Sequence, residues 1–180
     1  MRPAALPGLL LALALGCLVP AAQADDQALL EQALATARAQ AERALPALDG
    51  SAFGVDLAAY GAALHGEAFA SAVWGGPTRL DLQIRREATG SCSRYAAFVR
   101  LPPENGVVLL VLCPQFFTPG ADDLRVLTIL HEMVHVVAGR DECQAMALAA
   151  QIEQLATGVV TPVDAYWAAS QCAQSPYSLP

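Results

Sequence analysis

Asp122-Asp123-Leu124-Arg125-Val126-Leu127-Thr128-Ile129-Leu130-His131-Glu132-Met133-Val134-His135-Val136-Val137-Ala138-Gly139 is the stretch on which the reading of this chain turns. Two aspartates stand where the positive end of a helix dipole wants them, and Gly139 is a natural stop, so the segment predicts a helix of about five turns from near Asp122 to Ala138. Leu124, Leu127, Leu130, Val134 and Val137 form its packed face. In its middle lies an HExxH, His131-Glu132-Met133-Val134-His135. Residues four apart stack on one helix face, so the two imidazoles can grip one metal ion from the same side. Glu132 points about 100° away around the axis, near such a metal without being on it, where a general base belongs. Thr128 and Ala138, one turn either side of the histidines, are small and leave the metal face open.

A catalytic zinc site takes three protein ligands and keeps one position open. Gly139 lets the chain turn back, and Asp141 and Glu142 then arrive within reach. Glu142 is the preferred third ligand, because Ala145 and Ala149 let the helix it opens pack closely on the first. Asp141 is the alternative, although a helix cap is an equally natural role for it. The third histidine of the chain, His65, has no partner nearby in sequence and reads as a surface or loop residue.

The flanking segments predict an α+β domain. Residues 26–45 carry Leu29, Leu30, Ala33, Leu34, Ala37, Ala41 and Leu45 at helical spacing, closed before Pro46. Between Gly50 and Gly76 the signals are mixed, with a brief helix around Leu57 to Leu64. Strands follow at Leu80, Leu82 and Ile84, at Tyr95 to Leu101, and at Val107 to Leu112, the last two separated by Pro102-Pro103-Glu104-Asn105-Gly106 read as a turn. The run Val107 to Leu112 does not alternate, so both of its faces should be covered. The expected sheet is small and mostly antiparallel, packed on the HExxH helix. A further helix should run from Asp141-Glu142 to about Ala156, and a last apolar-periodic stretch spans Val163 to Cys172.

The 180 residues suit one domain. Residues 1–24 read as a secretory signal peptide: a positive start at Arg2, a short apolar stretch from Leu9 to Leu15, and Ala22-Gln23-Ala24 before the acidic Asp25-Asp26. An uncleaved anchor or lipidation at Cys17 are the alternatives. The mature domain, 25–180, has no other stretch apolar enough to span a bilayer and is expected to be secreted or periplasmic. Removing Cys17 leaves four cysteines, which favours two disulfides in an oxidising compartment. Of the three possible pairings, Cys92–Cys113 and Cys143–Cys172 are preferred because each flanks a hairpin or a helix pair. No two cysteines stand in CxxC spacing, which argues against a four-cysteine zinc site. The formal charge of −7 disfavours nucleic acid as a partner. All ten basic residues are arginine, which a compositional bias of the source genome explains.

Cys113-Pro114-Gln115-Phe116-Phe117, a short acidic link, the HExxH and the acid beyond it resemble the aspzincin metallopeptidases, the group of deuterolysin and the peptidyl-lysine endopeptidases. The similarity runs roughly from Ser91 to Ala169 and includes Cys92 and the late Asp164-Ala165-Tyr166. It implies a zincin-like fold and an exported zinc metalloendopeptidase acting on protein or peptide substrates, with Glu132 as general base and Asp164 and Tyr166 in the substrate site. A lysine-selective carboxylate at Asp164 is implied by the same match, and a chain without lysine is one such an enzyme could not cut. The family places Gly-Thr-x-Asp-x-x-Tyr after its HExxH, whereas here the segment is Gly139-Arg140-Asp141-Glu142-Cys143-Gln144-Ala145. Glutamate replaces the ligand aspartate, as in gluzincins, and Ala145 stands where a transition-state tyrosine is expected. The oxyanion donor is left among Tyr166, Tyr95 and Arg140. Two rival functions stay open: a zinc-binding or inhibitory module without turnover, and a metal-free envelope protein held by its disulfides.

Overall fold

A computed structural model describes residues 21–180. The signal peptide expected over 1–24 and the lipidation alternative at Cys17 lie outside the described residues, apart from positions 21–24, which begin the first helix. That helix, α1, covers Ala21–Ala44 and gives way at Pro46 to a 3-10 turn. Then come α2 (Leu57–Leu64), the strands β1 (Phe69–Ser71), β2 (Gly76–Ile84), β3 (Ala97–Glu104) and β4 (Val107–Leu112), and the helices α3 (Asp122–Ala138), α4 (Glu142–Thr157) and α5 (Asp164–Ala169). The α+β class is the one the sequence predicts.

The four strands form one sheet in the order β1-β2-β4-β3. The outer pairings, β1 with β2 and β3 with β4, are antiparallel, but β2 and β4 run parallel, so the sheet is mixed. The parallel pair arises because β3 is laid outside its hairpin partner, which inserts β4 between β2 and β3. As the central strand, β4 is covered on both faces. Val108, Leu110 and Leu112 join the main core under the helices. On the other face, Val111 and Leu109 pack with Phe98 against the Cys92–Cys113 disulfide.

The β3–β4 hairpin differs from the predicted turn. β3 continues through Pro102 and Pro103 to Glu104, and only Asn105 and Gly106 make the turn, with φ of 52° and 74°. Two prolines are tolerated because β3 is an edge strand and its register shifts between Arg100 and Glu104, so no ladder needs their missing N–H groups. Gly106 is required twice over: its φ is left-handed, and a Cβ there would stand 3.0 Å from the Pro77 carbonyl oxygen.

α3 is buried almost all round and packs against α1, α2, α4 and β3. Three polar anchors fix its position. The fully buried Tyr60 donates its hydroxyl to the Leu130 carbonyl at 3.0 Å. Trp74, from the β1–β2 connection, donates Nε1–H to the Val136 carbonyl at 2.8 Å. Buried Arg125 ties the first turns to the preceding loop through the Thr118 carbonyl at 2.7 Å and to Asp122. Both preferred disulfides, Cys92–Cys113 and Cys143–Cys172, are present, which fits an extracellular protein. Among the described residues, no helix is long and apolar enough to cross a membrane.

Candidate metal centre

The period of α3 brings His131 and His135 to one side, with their Nε2 atoms 3.0 Å apart. At the end of the helix Gly139, with φ of 103°, turns the chain and presents its carbonyl to His135 Nδ1 at 2.7 Å. A carbonyl can only accept, so Nδ1 carries a proton, and in the neutral ring Nε2 is then the atom with the lone pair that a metal takes. After that turn, Asp141 caps α4 by accepting from the Cys143 and Gln144 N–H groups, both at 3.0 Å. Capping withdraws Asp141 from the histidines and leaves Glu142, the first residue of α4, to face them. Glu142 Oε2 lies 3.2 Å from His131 Nε2 and 3.4 Å from His135 Nε2.

Two imidazoles and a carboxylate are a donor set suited to zinc. Ligands about 2.05 Å from a tetrahedral ion stand about 3.3 Å from one another. The observed separations of 3.0, 3.2 and 3.4 Å match that spacing, so His131, His135 and Glu142 can hold a metal ion with little rearrangement.

Glu132 shares the helix but not the ligand cluster. It is only 7% exposed, and its Oε2 is buried without a hydrogen-bond partner. Burial pushes its carboxyl above the ordinary range; the charges of His131 and His135 and a hydrogen bond from the Val99 N–H oppose that shift without cancelling it. Glu142 behaves oppositely. Burial would raise its carboxyl too, but hydrogen bonds from His131, His135 and Tyr166 outweigh this and hold it well below the usual carboxylate range.

These groups lie in a cleft of about 750 Å³ between α3 and the outer edge of β3, whose far side is closed by the start of α5. Tyr166, in α5, donates its hydroxyl to Glu142 Oε2, and its ring meets His131 edge to face at 5.7 Å between centroids. Burial and the Glu142 carboxylate raise its phenol above the ordinary value. Of the other two candidate donors, Arg140 lines the cleft but is engaged with the Leu101 carbonyl, and Tyr95 lines it with the Arg94 guanidinium 5.6 Å over its ring.

Asp164 is not brought to the site. It opens α5 on the exposed side, makes no cap hydrogen bond, and is absent from the lining of the cleft. The desolvated carboxylate on which a lysine preference depends is therefore not formed there. His65 sits half-exposed with Nε2 3.4 Å from Glu42, as a surface residue. Sequence reasoning missed the wall that β3 contributes and the Gly139 carbonyl that fixes His135; both act through backbone atoms, which carry no residue-type signal. No family model, no curated protein and no solved structure matches the chain.

Proposed function

We propose that this chain is an exported zinc-dependent metalloendopeptidase with a zincin-like active-site helix. The observation that carries the reading is the orphaned Oε2 of Glu132, buried at the base of an open cleft beside three donors already at metal-ligand spacing. Unpaired buried carboxylate oxygens are rare and unfavourable unless something else uses them. His131, His135 and Glu142 would hold the metal, which when bound supplies an activated water and a polarised carbonyl.

The residues of the chain do the rest. Glu132, whose carboxyl burial holds above the ordinary range, accepts a proton at Oε2 and passes it to the leaving amine. The Val99 N–H, on the edge of β3, faces the same carboxylate across the cleft. Ala96 pairs with Cys113 across the sheet, so the alternate residues Ala97 and Val99 turn their backbone groups to the open edge, where an extended peptide can align, while the Leu101 carbonyl is taken by Arg140 and the Val99 N–H faces Glu132. Tyr95, and Arg140 through the guanidinium N–H groups it does not give to Leu101, are the remaining candidates for oxyanion donor, since the single O–H of Tyr166 is engaged with Glu142. Asp164, exposed and outside the cleft, gives no basis for lysine selectivity.

Metal analysis and a casein or peptide-library assay on the purified mature protein test this. Wild type should carry zinc and cleave, and Glu132→Gln should keep zinc and lose turnover. Zinc without cleavage would favour the non-catalytic module, and no zinc would end the metal reading.

A further inference from the structure

The three metal donors are held in unequal ways. His131 and His135 are buried on a pinned helix, but the Glu142 side chain is 48% exposed. A long acidic side chain at the surface samples several rotamers, and fixing one of them opposes ligand binding. Apart from the two imidazoles, the hydrogen-bond partner of its carboxylate among the described residues is the Tyr166 hydroxyl.

Tyr166 is itself on an element with little hold on the core. α5 has six residues, none of them buried. Val163 and Trp167 attach it by packing on the main core. A second attachment lies just beyond its end, where the Ser170 N–H bonds back to the Tyr166 carbonyl at 2.9 Å and the chain then reaches Cys172. Cys172 is fully buried and joined to Cys143, the residue next to Glu142. The disulfide therefore ties the segment bearing Tyr166 to the first turn of α4, which bears Glu142.

We propose that Tyr166 is a positioning residue for Glu142, and that the Cys143–Cys172 disulfide acts through it by holding α5 against the metal site. This rests on the reading that His131, His135 and Glu142 bind zinc. A carboxylate oxygen has two lone pairs, so Oε2 can serve a metal with one while accepting from the phenol with the other. Hydrogen bonds behind a metal ligand orient it, and their loss commonly weakens metal affinity about 10–100-fold. The role is distinct from that of a substrate or oxyanion donor, which would act on turnover and leave affinity unchanged.

The test is zinc affinity, measured by competition with a chromogenic chelator, for wild type, Tyr166→Phe, the double variant Cys143→Ser/Cys172→Ser, and the triple combination. Tyr166→Phe should bind zinc about 10–100-fold more weakly, while the melting temperature of the metal-free protein stays at the wild-type value. The double variant should also bind more weakly, and adding Tyr166→Phe to it should have little further effect, because the two act on one arrangement. If the double variant fails to fold, Tyr166→Phe decides alone. Unchanged zinc affinity in Tyr166→Phe, with or without a drop in kcat, overturns the positioning role; additive losses overturn the link to the disulfide. Failure of wild type itself to bind zinc would instead sink the metalloendopeptidase reading beneath it.

Discussion

The two walls of the cleft are built to different standards. On the α3 wall, His131, Glu132 and His135 are 5–7% exposed, and the helix that carries them is bonded by Tyr60 and Trp74 from two other elements and, through its own Arg125, to the Thr118 carbonyl of the preceding loop. On the α4–α5 wall, Glu142 is half-exposed, Tyr166 is 38% exposed, and α5 buries none of its residues. The first wall is fixed by the core of the domain; on the second, α4 is also packed into that core, but the exposed ends that carry Glu142 and Tyr166 are held locally by a cap, a disulfide and one hydrogen bond. Two of the candidate ligands thus come preorganised, whereas the third is arranged locally.

The largest effects are expected on the buried side. His131→Ala or His135→Ala leaves one imidazole and a surface carboxylate, so zinc affinity should fall by on the order of a thousandfold or more, read by chelator competition. Glu132→Gln removes the proposed proton acceptor without touching a proposed metal ligand. Turnover should drop by on the order of 10²–10⁴, with zinc content unchanged by metal analysis.

On the exposed wall the same measurements should give smaller effects that separate neighbours. Glu142→Gln should weaken zinc binding by on the order of a hundredfold, whereas Asp141→Asn, which retains a good cap, should leave it within about twofold. Loss of affinity in Asp141→Asn with little change in Glu142→Gln would reverse the assignment. Tyr60→Phe probes the anchors instead of the ligands. Denaturant unfolding should show a loss of about 1 kcal/mol, the usual worth of one hydrogen bond. Zinc affinity should shift less than in Tyr166→Phe, because Trp74 and Arg125 still hold α3.

The same contrast marks what can be read from the sequence. α3 and its HExxH are legible because a buried amphipathic helix writes its period into the chain, and Gly139 announces where it stops. Glu142 comes with that stop, since a tight turn leaves few residues that can reach back. The cysteine pairs are legible from their positions around a hairpin and a helix pair. Features that depend on distant partners are not. β1 is three residues long, in a glycine-rich stretch without a usable pattern. The parallel β2–β4 pairing is a matter of strand order, which local alternation does not encode. Pro102 and Pro103 look like a turn until β3 is known to be an edge. The sequence directs Tyr166 toward substrate, but its hydroxyl meets Glu142 through a helix whose placement depends on a disulfide. Asp164, two residues earlier on that six-residue helix, lies outside the cleft that Tyr166 lines.

The Cys92–Cys113 bond has a practical consequence for anyone making this protein. It is the centre of the small apolar cluster on the sheet face away from the main core, where it covers Phe98, Leu109 and Val111. In a reducing cytosol that cover would loosen and leave greasy, strand-lined surface free to stick to other chains. Production routed through an oxidising compartment should yield soluble material, and cytosolic production should yield inclusion bodies.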